Sequence, residues 1–227
     1  MFTIAENMRA LSNAHTQEGE QSSPCAGASA GTSPTATANG VSVGYACDPH
    51  KQWFVLRATY NREEKAYNTI VALGLKAYLP LRYVVQTIDG KKKRVTAPLI
   101  PNLLFVYTEP QTIDRHLKDT PSLSFVNYYY NHFSRLPDGR NPPLTVPYHA
   151  MINFIRVTSV GSEHVRTVHS RQCHYKSGDI VRVVEGQFAG IEGRVARVAG
   201  QQRVVVEIEG VCLVSTAYVP SAFIRKK

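Results

Sequence analysis

The chain has 227 residues and a formal net charge of +9, a length that suits about one or two domains. It contains no apolar run of roughly 18 residues, so we expect no membrane span. Its first residues lack the basic and apolar regions of a signal peptide, and its four cysteines are scattered without paired spacing. We therefore expect a cytoplasmic protein with free thiols.

The charge is unevenly distributed along the chain. Residues 1–50 carry a net charge of −3, residues 51–160 carry +8 and residues 161–227 carry +4. The basic excess lies in the segments that look folded, which favours contact with a polyanion. Charge alone does not separate that interpretation from an ordinary soluble basic protein.

The N-terminal segment has the composition of a disordered extension. Residues 16–49 are dominated by Ser, Thr, Ala, Gly and Pro, with almost no large apolar side chains before Tyr45. Such a segment buries too little surface to offset the entropy lost on ordering. We predict that residues 1–51 form a largely disordered extension.

Residues 52–157 read as a first folded domain. Its predicted elements are a strand at Trp53–Ala58, a helix capped by Asn61 and ended by Gly74, a strand at Ala77–Ile88, a hairpin turn at Asp89-Gly90, a strand at Leu103–Tyr107, a helix at Gln111–Lys118, a strand at Ser124–Tyr130 and a helix from Pro147. This order predicts an α+β domain in which helices cover a sheet.

Residues 158–175 are polar and without clear periodicity, and we interpret them as a linker. Residues 176–227 read as a second domain of short valine-rich strands, with Gly186, Gly190 and Gly193 punctuating the connection between the first two. This pattern predicts a small all-β, SH3-like barrel. Because folds host many functions, a barrel without a ligand is an equally good interpretation of the spacing alone.

Both domains resemble the NusG family of transcription elongation factors. Gly178–Val195 is similar to the family's KOW module, and Trp53, Tyr78-Leu79-Pro80 and the run Pro98–Val106 are similar to its N-terminal domain. The run after the hairpin is closer to the specialised RfaH branch. The closing segments Gly200–Val204 and Ser215–Ile224 resemble UpxY-type antiterminators of capsular or surface polysaccharide operons.

The resemblance implies a non-enzymatic, monomeric factor that binds RNA polymerase and promotes read-through of a long operon. It places Ile100, Leu103 and Phe105 on the clamp helices of the polymerase β′ subunit. Strand alternation is equally compatible with these side chains facing the domain core. The segment Asp114–Leu117 does not match the branch's contact to the β gate loop, so that contact is in doubt.

The resemblance also indicates nucleic-acid contacts. Arg62 and Lys65 occupy positions at which related proteins meet the non-template DNA strand, and Lys91, Lys92, Lys93 and Arg94 lie on a hairpin arm that could reach upstream DNA. Lysine and arginine bind phosphates through charge, largely without reading sequence. A charged hairpin that only discourages edge aggregation is the competing interpretation. Four tyrosines are candidates for stacking on splayed bases, although strand alternation would bury at least one of the last three: Tyr60, Tyr128, Tyr129 and Tyr130.

In the KOW module, the loop containing Phe188, Ala189 and Gly190 resembles the segment that contacts ribosomal protein S10 or Rho. Phe188 suits an exposed anchor, or else a plug for the end of the barrel.

We expect no metal, because His164, His169, Cys173 and His174 match no common zinc spacing, and no nucleotide-binding motif is present, so no cofactor is expected. The alternative function is an RNA-binding or ribosome-associated KOW protein without polymerase contact.

Overall fold

The computed structural model describes residues 45–88, 90–160 and 165–227. Within them, residues from 45 to 160 form a sheet with helices on both faces, and residues from 165 onward form an antiparallel sheet. The predicted α+β domain followed by an all-β domain is therefore confirmed.

The N-terminal sheet has the strand order β2-β5-β1-β6, and β7 also pairs with β1. Its strands are β1 (Gln52–Ala58), β2 (Lys76–Tyr78), β5 (Leu103–Thr108), β6 (Val126–Tyr128) and β7 (Thr145–Val146). The pairings of β1 with β5, β6 and β7, and of β2 with β5, are all antiparallel. A separate hairpin consists of β3 (Leu81–Ile88) and β4 (Lys91–Pro98), as the turn signal at Gly90 predicts.

Strand alternation divides the N-terminal domain into two apolar layers. Phe54, Leu56, Leu104 and Val106 face one cluster, which includes Ala66 and Ile70 of α1 (Glu63–Ala72) and Ile113 of α2 (Pro110–Asp119). The opposite cluster contains Trp53 and Val55 of β1, alternate residues of β5 from Leu103 to Tyr107, and residues of α3 (Tyr148–Ser159) that include Met151, Phe154 and Ile155. Each face of the sheet is thus covered by at least one helix.

The start of α1 differs from the sequence prediction. Asn61 is not the N-cap, because its backbone is left-handed with φ of 52° and its N–H donates to Asn102 Oδ1 at 2.9 Å. Arg62 takes the cap position without a side-chain capping bond, and the acidic residues Glu63 and Glu64 occupy the first turn, where they complement the helix dipole. Gly74 follows the helix with φ of 80°, as expected for a glycine stop.

The C-terminal domain is a six-stranded antiparallel sheet with the order β13-β9-β10-β11-β12-β8. Its strands are β8 (Arg166–Val168), β9 (His174–Val183), β10 (Glu192–Val198), β11 (Gln201–Ile208), β12 (Cys212–Tyr218) and β13 (Ile224–Lys226). The pairings form a path with β13 and β8 at its ends. Residues 158–175, predicted as a linker, thus contribute the end of α3, strand β8 on the edge of β12, and the start of β9.

The two domains are in contact. Buried residues of β1, β5 and α3 share one apolar cluster with Val181, Phe188 and Ile191 of the C-terminal domain. Two hydrogen bonds cross the contact, from Arg156 Nη1 to the Gly190 carbonyl at 3.2 Å and from the Glu192 N–H to Asn153 Oδ1 at 3.3 Å. Helix α3 therefore lies between the N-terminal sheet and the C-terminal domain.

Candidate functional site

The three residues predicted to contact polymerase are buried. Ile100 is 9% exposed, Leu103 is 7% exposed and Phe105 is fully buried. The ring of Phe105 lies 5.4 Å from that of Phe154 on α3, centroid to centroid. In this arrangement the three side chains therefore face the core, as the alternative interpretation predicts. A polymerase contact through them stays a prediction that requires α3 or the C-terminal domain to move.

Next to this patch lies a group of aromatic side chains around Trp53, of which only Trp53 could be picked out from the sequence. Trp53 stacks on Tyr107 at 5.0 Å and meets the edge of Tyr45 at 4.9 Å. Tyr45 donates to the Ala77 carbonyl and its own carbonyl accepts from Tyr148. Burial raises the pKa of Tyr45 well above its usual range. Residues 45–51, predicted as part of the disordered extension, are thus packed onto the domain.

Arg62 and Lys65, predicted to contact nucleic acid, lie over one aromatic ring. The Arg62 guanidinium lies 4.0 Å from the centroid of Phe125, and Lys65 Nζ lies 5.7 Å from it. Arg62 Nε also donates to the Thr59 carbonyl at 3.2 Å. The guanidinium is therefore held in place at the surface by stacking and a hydrogen bond.

Tyr60 adjoins this group and is 85% exposed. Its ring centroid lies 5.4 Å from the guanidinium of Arg62, and its backbone is left-handed with φ of 62°. The amino-acid sequence does not distinguish Tyr60 from the other candidate tyrosines, because no residue pattern marks its left-handed backbone. The structure places the tyrosine and the two basic side chains in one exposed group.

The four basic residues of the β3–β4 hairpin are also exposed, and they lie apart in the sequence from the group of Tyr60, Arg62 and Lys65. Lys91, Lys92, Lys93 and Arg94 occupy successive positions on β4, paired with Ile88 to Val85 on β3. The Arg94 guanidinium lies 4.0 Å from the centroid of Tyr83 on the opposite strand. Successive residues of a strand point to alternate faces, so the four cations make both faces of the hairpin positive.

Phe188 is not exposed as an anchor would be. It is 3% exposed and belongs to the apolar cluster shared with α3, while Ala189 and Gly190 are half-buried. The bond from Arg156 to Gly190 holds this loop against α3. The prediction that Phe188 is exposed is therefore wrong for this arrangement, because the loop packs against the N-terminal domain. Binding of a partner by the loop stays a prediction.

Glu192 anchors the base of the same loop electrostatically. Its carboxylate accepts from Arg182 and from Lys227, with the closest contact to each at 2.7 Å. The Lys227 ammonium first, and then the Arg182 guanidinium, hold the pKa of Glu192 below its usual range. The loop is thus tied both to its own sheet and to α3.

Among the residues that the structure describes, no group of three or more His, Cys, Asp or Glu side chains could hold a metal. His164, one of the four residues considered for zinc, lies outside them. No helix within the described ranges is both long and apolar enough to cross a membrane.

Comparison with known proteins finds a family match for part of the chain. Residues 51–153 match the model of the NusG family, described as "Transcription termination factor nusG". A solved structure titled "Domain interaction in Thermotoga maritima NusG" is 18% identical to the chain, with a TM-score of 0.37. That similarity covers 78% of this chain and 97% of the other. No curated protein matches the chain.

Proposed function

We propose that this protein is an operon-specific transcription antitermination factor of the NusG type, because residues 51–153 match the NusG family model. The family match is the observation that carries the proposal. The matched family is described as a transcription factor, which supports the expectation of a non-enzymatic protein. The family also implies binding to RNA polymerase.

The proposed partner surface on the polymerase is the clamp helices of β′, with Ile100, Leu103 and Phe105 as the residues that meet them. Because all three are buried and Phe105 packs against Phe154 of α3, this contact requires an open form in which the C-terminal domain has left α3 and α3 has moved off the sheet. The two hydrogen bonds and the shared apolar cluster oppose that opening. We expect polymerase binding to be slow to form in the absence of a factor that favours opening.

The proposed nucleic-acid contacts are the non-template strand at Arg62 and Lys65, and upstream DNA at the hairpin from Lys91 to Arg94. Support comes from the exposure of the hairpin cations and from the fixed position of Arg62 over Phe125. In the open form, the loop at Phe188, Ala189 and Gly190 would be free to meet S10 or Rho. The proposed setting is the cytoplasm, with the protein acting as a monomer.

The proposed target is a long operon for capsular or surface polysaccharide, and the support is the resemblance of Gly200–Val204 and Ser215–Ile224 to antiterminators of such operons. RNA sequencing after deletion of the gene tests the target. We expect a selective loss of promoter-distal transcripts in one long operon, and a uniform change across transcripts would contradict it.

A pull-down with a stalled elongation complex tests the function itself. The full chain should bind the complex and should raise read-through at a downstream terminator. Failure to bind the complex, combined with tight binding to structured RNA alone, would favour the RNA-binding alternative. Such binding would fall with a log–log salt slope of roughly −0.9 or −0.7 per phosphate contact.

A further inference from the structure

Tyr60 occupies a backbone conformation that costs stability without any return in packing. A bulky side chain at φ of 62° is an outlier, since the left-handed region favours glycine and asparagine. The next residue, Asn61, is also left-handed, and so is Asn102, whose side chain accepts the Asn61 N–H. Asn102 also accepts the Ala58 N–H with its backbone carbonyl at 2.9 Å. The end of β1 is thus fixed in an unusual form by its neighbours.

The left-handed backbone at Tyr60 accompanies an aromatic ring that projects into solvent. Tyr60 is 85% exposed, so its side chain buries almost no apolar surface. Strained residues that lack a packing role are concentrated at functional sites, where the surrounding structure fixes them for a ligand. The exposed ring therefore needs an explanation other than stability.

The chemistry around the ring matches a nucleotide. Arg62 lies against Tyr60 at 5.4 Å and against Phe125 at 4.0 Å, so a planar cation adjoins the ring on one side. Lys65 contributes a second cation near Phe125. In the part of the chain that the structure describes, neither Arg62 nor Lys65 forms an ion pair, and both charges remain available for phosphate.

We propose that Tyr60 is a fixed stacking platform for one unpaired base of a single-stranded nucleic acid, with Arg62 and Lys65 binding the adjacent phosphates. The proposal deepens the nucleic-acid contact under the proposed function and rests on it. A base inside a duplex is already stacked on its neighbours, so the platform selects unpaired strands. Base–aromatic stacking is sequence-tolerant, because every base has a π face.

The experiment measures fluorescence anisotropy of the full chain with a labelled single strand, as DNA and as RNA, and with the matching duplex. Tyr60→Ala should weaken binding to the single strand about tenfold, as expected for the loss of one base stack. Tyr60→Phe should bind like wild type. Tyr218→Ala, which removes a tyrosine that is 57% exposed on the C-terminal sheet, is the matched control and should change nothing.

A strand that lacks its bases but keeps its phosphates separates stacking from charge. Tyr60→Ala should bind this abasic strand as well as wild type does, whereas Arg62→Ala should weaken binding to both strands. Tyr60→Gly keeps the test valid if alanine disturbs the fold, because glycine accepts the left-handed backbone. An unchanged affinity of Tyr60→Ala or Tyr60→Gly for the intact single strand would overturn the proposal, as would an equal loss of affinity for the duplex in these variants.

The two proposals fail in different ways. These measurements contain no polymerase, so loss of the single-strand effect leaves polymerase binding in the pull-down unaffected. If wild type instead fails to bind the elongation complex but still shows the Tyr60-dependent preference for unpaired bases, the antitermination function falls and the platform stands.

Discussion

Gly193 lies at a point in the C-terminal sheet where no side chain fits. A Cβ built at this position would lie 2.4 Å from the Val205 carbonyl oxygen and 2.8 Å from Val204 Cγ1 on the neighbouring strand. The first of these atoms belongs to the backbone of a paired strand and cannot rotate away. Glycine is therefore required at position 193 because the neighbouring strand lies too close for a Cβ atom, and not because of the backbone conformation.

Gly193→Ala should lower the free energy of unfolding by about 3 kcal/mol, the upper end of the cost of overpacking. Chemical denaturation monitored by circular dichroism measures this change. Gly200→Ala is the matched control, since its φ of 77° is left-handed but nothing lies within 4 Å. It should cost only about 1–2 kcal/mol for the backbone. An equal cost at both positions would contradict the clash.

Glu192 should make stability depend on pH. Its pKa is lowered in the folded state by Lys227 and Arg182, so the unfolded state binds its proton more readily. The stabilisation is complete above the unfolded pKa and is lost as pH falls through the folded one, from about pH 5 downward. Both partners are more than half exposed, so solvent screening limits the effect to at most about 1 kcal/mol.

Glu192→Gln should therefore lose less stability than wild type between neutral and acid pH. Urea denaturation at several pH values gives the comparison. Glu207→Gln, at an exposed position on β11, serves as the control and should follow the wild-type pH profile. Parallel profiles for Glu192→Gln and wild type would show that the two ion pairs contribute nothing.

Individual residues also show where sequence reasoning ends. The alternation of β5 predicts that Leu103 and Phe105 share a face, and they do. The pattern contains no information on what covers that face, and α3 covers it through Phe154. In the same way, Asn61 has the chemistry of a helix cap, but a tertiary hydrogen bond to Asn102 pulls it into a left-handed turn.

At the scale of elements, several strand boundaries are set by proline and glycine residues that can be recognised in the sequence. Pro80 separates β2 from β3, and the turn at Gly90 joins β3 to β4. Strand β8 could not be predicted in this way. Its residues, Arg166–Val168, comprise two polar side chains and one valine, which is too short a pattern to predict a strand. They form a strand because β12 offers an unpaired edge.

The β3–β4 hairpin provides an element-scale test of nucleic-acid binding. Replacing Lys91, Lys92, Lys93 and Arg94 by glutamine should reduce the log–log salt slope of binding to duplex DNA by up to about 3.6, since each of the four phosphate contacts contributes roughly 0.9. Exposed positions on a hairpin tolerate this change, so the fold should persist. Fluorescence anisotropy at several salt concentrations measures the slope.

A variant with the same loss of charge elsewhere shows whether the hairpin is a specific contact. Arg166, Arg171, Arg197 and Arg225 are exposed cations of the C-terminal domain. Their replacement by glutamine removes the same number of charges. An equal reduction of the slope in both variants would indicate general attraction to a basic protein, and the hairpin would lose its assigned role.

At the scale of the whole molecule, the arrangement of the domains determines which surfaces are accessible. The residues proposed to meet polymerase and the loop proposed to meet a second partner are buried on opposite sides of the same helix, α3. Release of the C-terminal domain would therefore uncover the loop, and exposure of the polymerase-contact residues would follow once the freed α3 moves off the sheet. Composition and spacing predicted the two domains, but the contact between them depends on shape complementarity that no local pattern encodes.

Asn153→Ala combined with Arg156→Ala should shift the molecule toward the open form. The pair removes the two hydrogen bonds that join α3 to the loop, each worth about 1 kcal/mol, so opening should become roughly thirtyfold more favourable. Amide hydrogen exchange in residues 186–192 should accelerate, because the loop loses its cover. The association rate with the elongation complex should rise by a comparable factor.

Arg135→Ala, at an exposed position of the N-terminal domain, is the control and should leave both the exchange rate and the association rate unchanged. Faster exchange without faster binding would show that the domains do separate but that Ile100, Leu103 and Phe105 are not the polymerase contact.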